Sequence, residues 1–169
     1  MNHSKENSEH ANPAPFPVSD ERRATLWALN IWLAARGGAE LPSLAHLFDG
    51  ERGFLGDEFL IKVDPETLHS VFIVCGDDLP LPLGARSAGK PVRRAVPSQL
   101  RRLFCDASAE AVHRGAAVHG TGVLHLESRA DIRYRSVFLP VRSDDEHDHM
   151  YVFGAFASTA NDVMLQAVA

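Results

Sequence analysis

Hydrophobic and polar positions fall into two different patterns near the end of the chain. Ile132 to Val141 (IRYRSVFLPV) reads as a strand with Arg133 and Arg135 on one face and Tyr134 and Phe138 on the other. A polar tip, Arg142 to His149, follows, and then Met150 to Ala157 (MYVFGAFA) reads as a second strand that is apolar on both faces. Aromatic and β-branched residues on either side of a charged turn predict a hairpin. A strand of an antiparallel sheet ordinarily keeps one wet face. The doubly apolar strand is therefore expected in the middle of a sheet, with another element covering its back.

Upstream, Ser19 is placed to cap a helix over Asp20–Arg36, which Gly37-Gly38 stops. Between Thr25 and Ala35 only Thr25 and Asn30 are polar. A helix lying on one surface needs only an apolar stripe, so this one is expected to be buried on more than one side. Pro42-Ser43 begins a short turn or helical piece ending near Phe48, and a Gly-bearing loop runs from Asp49 to Asp57. Glu58–Val63 and His69–Cys75 read as strands joined by a turn at Asp64-Pro65, and Gly76–Val96 reads as irregular. Pro97 opens a second long helix, with Leu100, Leu103, Phe104, Ala107 and Ala111 at helical spacing and an end near Arg114-Gly115. Val118–Glu127 is a third strand, with Gly120 and Gly122 inside it.

This order predicts an α+β fold: a five-stranded antiparallel sheet with the helical midsection folded across one face. Residues 1–18 are polar and proline-bearing and are expected to form a disordered tail. The expected organisation is this tail, an N-terminal helical segment over 19–48, the sheet domain over 49–158, and a short helix or tail over 159–169, the helix at about Asn161–Val168.

Composition narrows the class. A length of 169 residues fits one domain, and a hydrophobic fraction of 45% is enough for a core. A net charge of −5 argues against a generic nucleic-acid binder, whose affinity comes from neutralising phosphates. No apolar run approaches the ~20 residues of a membrane-spanning helix. The first residues lack the apolar core of a secretory signal. Two cysteines, Cys75 and Cys105, fit a reducing compartment. A cytoplasmic protein without membrane insertion is the expectation.

Candidate chemistry is sparse. His147 and His149 lie in an acidic run at the predicted hairpin tip. Imidazole and carboxylate suit zinc, but a tip offers no surrounding shell to orient ligands, so no metal is expected. His119 and His125 share a strand face with Thr121 and Val123, opposite Leu124 and Leu126, and so are expected to point away from the core. Cys75 and Cys105 adjoin apolar residues and read as buried, inert thiols. Arg86, Lys90, Arg93, Arg94, Arg101 and Arg102 form a run without an acidic residue. It reads first as a solvated basic face and second as a seat for a phosphate, a nucleotide or an acidic partner. There is no Gly-x-Ser-x-Gly, Walker, His-Glu-x-x-His or Rossmann motif, so no enzyme is expected.

Three local motifs bring a family to mind: Trp32 with Arg36-Gly37-Gly38 and Pro42, the strand Arg133–Val141 (RYRSVFLPV), and the apolar strand Val152–Phe156. With the element order, they make the chain resemble a group of bacterial PAS-like proteins of mostly unassigned function, over about Leu26 to Ala157. The stretch Gly76–Pro97 departs from the pattern in lacking clear short helices. The resemblance implies that the last strand lies centrally, beside the first, and that the N-terminal helix packs on the outer sheet face at a homodimer interface formed by Leu26, Trp27, Ile31 and Trp32. It implies a stand-alone sensory or protein-interaction module whose output passes through a downstream protein partner. A small ligand between sheet and midsection would meet Phe72, Val74, Leu103, Phe104, Leu124, Tyr134 and Phe138. Some PAS domains hold haem through a helix histidine, for which His113 is the nearest counterpart, and flavin photosensors need a cysteine motif absent here. No cofactor is therefore expected. Two further classes stay open: a small α+β isomerase or dehydratase, and a scaffold with a filled core.

Overall fold

A computed structural model describes residues 20–49, 52–64, 69–77, 79, 87–125, 131–144 and 149–159. The tail over 1–18, the C-terminal helix and His147 lie outside the described residues. The elements run α1 (Asp20–Arg36), α2 (Leu44–Leu47), β1 (Glu58–Val63), β2 (Val71–Cys75), α3 (Val92–Ala95), α4 (Ser98–Arg114), β3 (Val118–Leu124), β4 (Ile132–Arg142) and β5 (Met150–Ser158). The strands form one five-stranded sheet in the order β2-β1-β5-β4-β3, with every pairing antiparallel. β5 thus lies at the centre, between β1 and β4, as its doubly apolar pattern predicts.

The two faces of β5 serve two cores. Val152 and Phe156 join Phe59, Ile61, Phe72 and Phe138 beneath α4, which contributes Leu100, Phe104, Ala107 and Ala111. Phe153 and Ala155 join Leu60, Val137, Leu139 and Val141 beneath Ala28 and Trp32 of α1. Helical spacing along α4 keeps its buried residues on one stripe. Its end is closed by Gly115, at φ 60, where the Ala116 amide donates to the Ala111 carbonyl at 3.3 Å.

The stretch Gly76–Val96, expected to be irregular, instead does structural work where it is described. Lys90 and Gly89 bond to Phe72 through backbone groups (3.0 and 2.7 Å), and the Val92 amide donates to the Ser70 carbonyl at 2.8 Å. These bonds cover the outer edge of β2 before the chain makes the single turn of α3. β2 begins at Val71 rather than His69, and β3 ends at Leu124, short of Glu127.

Candidate functional site

On the outer face the residues that carry the family resemblance meet. β3 begins opposite Phe138, and beyond this point β4 is met on that side, among the described residues, by a single bridge between Ser43 and Arg142. The Trp32 Nε1–H donates to the Pro140 carbonyl at 2.7 Å, and the Arg142 amide donates to the Pro42 carbonyl at 3.0 Å. Both bonds leave β4 on the side away from β5. A proline is tolerated at position 140 because its missing N–H would also point to this unladdered side. The Arg36 guanidinium lies over the Trp32 ring, 5.6 Å from its centroid. The motif is therefore a clamp that seats α1 and its following loop on β4.

The clamp corrects the interface expectation for Trp32, which is 3% exposed and committed to its own chain. Ile31 is half-buried against the same core. Among the described residues, one side of α1 is buried, through Thr25, Ala28 and Trp32. Its other side presents Leu26, Trp27 and Leu33, exposed by 43%, 54% and 47%.

Beside this stripe is an open cleft of about 630 Å³ lined by Arg23, Ala24, Leu26, Trp27, Asn30, Leu55 and Asp57. Glu58 holds its far wall. That carboxylate is 1% exposed, accepts the Leu55 amide at 2.9 Å and pairs with the Arg52 guanidinium. Arg52 in turn lies over the rings of Phe48 and Phe153, at 5.8 and 5.4 Å. Burial raises the Glu58 pKa above its ordinary value, outweighing the lowering pull of the Leu55 amide and Arg52. Neither the cleft nor this buried pair was predicted. The available signal was Glu58 itself, a carboxylate on the same strand face as Leu60 in a sheet expected to be covered on both sides.

On the inner face, three of the predicted ligand contacts come together in one aromatic cluster. Phe72, Phe104 and Phe138 are fully buried. The Phe104 ring lies 5.3 Å from those of Phe59 and Phe138, 5.5 Å from Phe156 and 5.9 Å from Phe72. Tyr134 stacks on Phe156 at 5.1 Å, Leu103 packs at the margin and Leu124 is buried. Val74 is a correction. The register shifts between Leu60 and Ile61, pairing Leu60 with Val74 and Ile61 with Phe72. This bulge at Ile73 sends Phe72 inward and Val74 to the outer face, where it packs with the α1 core.

The other candidates stay apart. His119, Thr121 and Val123 are exposed on β3, and the His125 Nδ1 lies 2.9 Å from Asp131 Oδ1 at the surface. His113 is exposed at the end of α4. Among the described residues no group of three or more His, Cys, Asp or Glu could hold a metal ion. Burial pushes the Cys75 thiol up to about 12 and also raises Cys105. Lys90, Arg93, Arg94, Arg101 and Arg102 are all exposed, with Arg102 paired to Asp106 at 3.3 Å; Arg86 lies outside the described residues. Among the described residues no helix is long and apolar enough to cross a membrane.

No family model and no curated protein matches the sequence. Several solved structures are similar. A domain of an HTR-like protein from Haloarcula marismortui is 16% identical over 59% of this chain and 97% of its own, with a TM-score of 0.42. The fungal blue-light photoreceptor Vivid, solved as its light-state dimer, is 15% identical over 88% of this chain and 99% of its own, with a TM-score of 0.42. A sensory box sensor histidine kinase from Vibrio cholerae is 11% identical over 68% of this chain and 89% of its own, with a TM-score of 0.38. The strand order 2-1-5-4-3, with helical segments on both faces and the last strand central, is a PAS-like α+β fold.

Proposed function

We propose that this domain is a protein-interaction module of signal transduction, of the kind found in the bacterial PAS-like group. It pairs with a second copy through the solvent face of α1 and hands its signal to a downstream partner protein in the cytoplasm, without a cofactor or metal. The observation that carries the reading is the apolar stripe Leu26, Trp27 and Leu33 beside a cleft that also exposes Leu55. A contiguous exposed apolar surface of this kind marks an association site. In a two-fold pair, Trp27 of each copy meets the cleft of the other, which is the self-complementarity such a dimer requires. The interlocked rings around Phe104 favour interaction over small-molecule sensing. They also disfavour the isomerase reading, because among the described residues the fully buried carboxylate, Glu58, lies on the other face and is already paired.

Native mass spectrometry of the full chain tests this. The expected spectrum is a dimer without additional mass, converted to monomer by Leu26→Asp with Trp27→Asp while the far-ultraviolet circular dichroism stays unchanged. A wild-type monomer carrying a co-purified small molecule would overturn it.

A further inference from the structure

The two edges of the sheet are treated differently. The β2 edge is covered by residues 89–92, whereas among the described residues β3 pairs only with β4. The bonds from Pro140 and Arg142 fix which way β4 points its backbone groups: even-numbered residues direct them away from β5, toward β3 where it is present. Val118, Gly120, Gly122 and Leu124 face those residues in register. The N–H and carbonyl groups of His119, Thr121 and Val123 therefore point out of the sheet, and among the described residues no segment bonds to them. At the end of this stretch the Gln99 side chain caps the His125 carbonyl at 3.0 Å. An exposed edge is normally blunted by lysine, proline or a bulge. The run Val118–Leu124 has none of these, and its register is regular.

Charge identifies the occupant. Arg135 lies opposite Thr121 and Arg133 opposite Val123, on the outer face. Both arginines are exposed, and among the described residues neither side chain has an ion pair. Thr121 and Val123 are short, which leaves a path for each guanidinium across β3 toward a strand one spacing, about 4.8 Å, beyond it. We propose that the β3 edge binds an extended acidic segment of a partner protein. The segment adds as a sixth strand, its backbone pairs with His119, Thr121 and Val123, and carboxylates at every second position meet Arg133 and Arg135. A second copy of β3 fits this edge less well, because it would bring four arginines, Arg133 and Arg135 of each copy, onto one face. The site is separate from the α1 surface.

Fluorescence anisotropy with a labelled peptide of alternating glutamate and threonine tests the proposal on the full chain. Saturable binding is expected, about tenfold weaker for Arg133→Glu with Arg135→Glu. The same loss is expected for Thr121→Pro, which removes an outward N–H, and for a peptide N-methylated on the amides that would face β3. Both arginines and Thr121 are exposed, and an unchanged melting curve shows that each variant is folded. Absence of saturable binding overturns the proposal. So does equal binding of the N-methylated peptide, which would reduce the effect to charge attraction. Self-association that is lost in Thr121→Pro but kept in the α1 variant would assign the edge to a second copy instead.

Discussion

The indole N–H of Trp32 donates to the carbonyl of Pro140 at 2.7 Å, across 108 residues of sequence. Trp32→Phe keeps most of the ring but leaves a buried carbonyl unpaired, at a cost of about 1–3 kcal/mol. Trp27→Phe, on the exposed side of the same helix, is expected to stay within about 0.5 kcal/mol at protein concentrations low enough to keep the chain monomeric. Urea unfolding followed by circular dichroism measures both. Equal costs for the two would show that the clamp does not hold α1.

Phe104 is the hub of the inner aromatic cluster, so Phe104→Ala should cost about 3–5 kcal/mol and leave an apolar cavity. Such a cavity binds small apolar molecules. Benzene is expected to raise the melting temperature of the variant and to leave the wild type unchanged. A comparable rise in the wild type would show that a ligand space already exists beneath α4.

Gly154 sits at the centre of β5, where an added Cβ would come within 2.3 Å of the Val137 carbonyl oxygen and 2.4 Å of the Phe59 ring. The carbonyl belongs to the neighbouring strand and cannot move aside without breaking register. Gly154→Ala is therefore expected to destabilise by at least about 1–3 kcal/mol. Gly53→Ala has nothing within 4 Å and should be near neutral. Thermal melts of the pair decide the point.

Glu58 binds its proton more tightly folded than unfolded, because burial penalises the charged form. The folded state then holds more protons between the two pKa values. The stability this contributes is full below the ordinary carboxylate pKa and is lost as pH rises through the folded value. The advantage of wild type over Glu58→Gln should accordingly shrink from mildly acidic to neutral pH in a series of urea titrations. An advantage that grows with pH would mean that Arg52 dominates over desolvation.

Cys75 is buried at the end of β2 with its thiol pushed up to about 12. Thiolate is the reactive form, so alkylation of the native protein at mildly basic pH should be slow at Cys75 and faster at the half-buried Cys105. Peptide mapping after timed iodoacetamide treatment gives the order. Rapid labelling of Cys75 in the native state would contradict its burial.

Element identity was largely legible because it is local. The limits of α1 follow from an apolar run stopped by Gly37, at φ 59, and those of α4 from Pro97 and Gly115. The central place of β5 was legible because two apolar faces require two covers. The candidate sites were less legible. Period-two reading places Phe72 and Val74 on one face, and only the bulge at Ile73 separates them. Residues 89–92 give no strand pattern, since their order comes from bonds to an edge already formed by β2.

By itself, then, the sequence determined the order and type of the elements other than α3, the antiparallel hairpin and the need for helices on both faces of the sheet. These depend on periodicity, on Gly and Pro, and on the count of apolar residues. Tertiary structure alone decided that Trp32 is a clamp while Trp27 is surface, that Glu58 is buried with Arg52, that the inner rings gather around Phe104, and that among the described residues β3 pairs on one side. Each of these is a contact, or a missing contact, between residues set by packing and register, and neither quantity exists until the strands have paired.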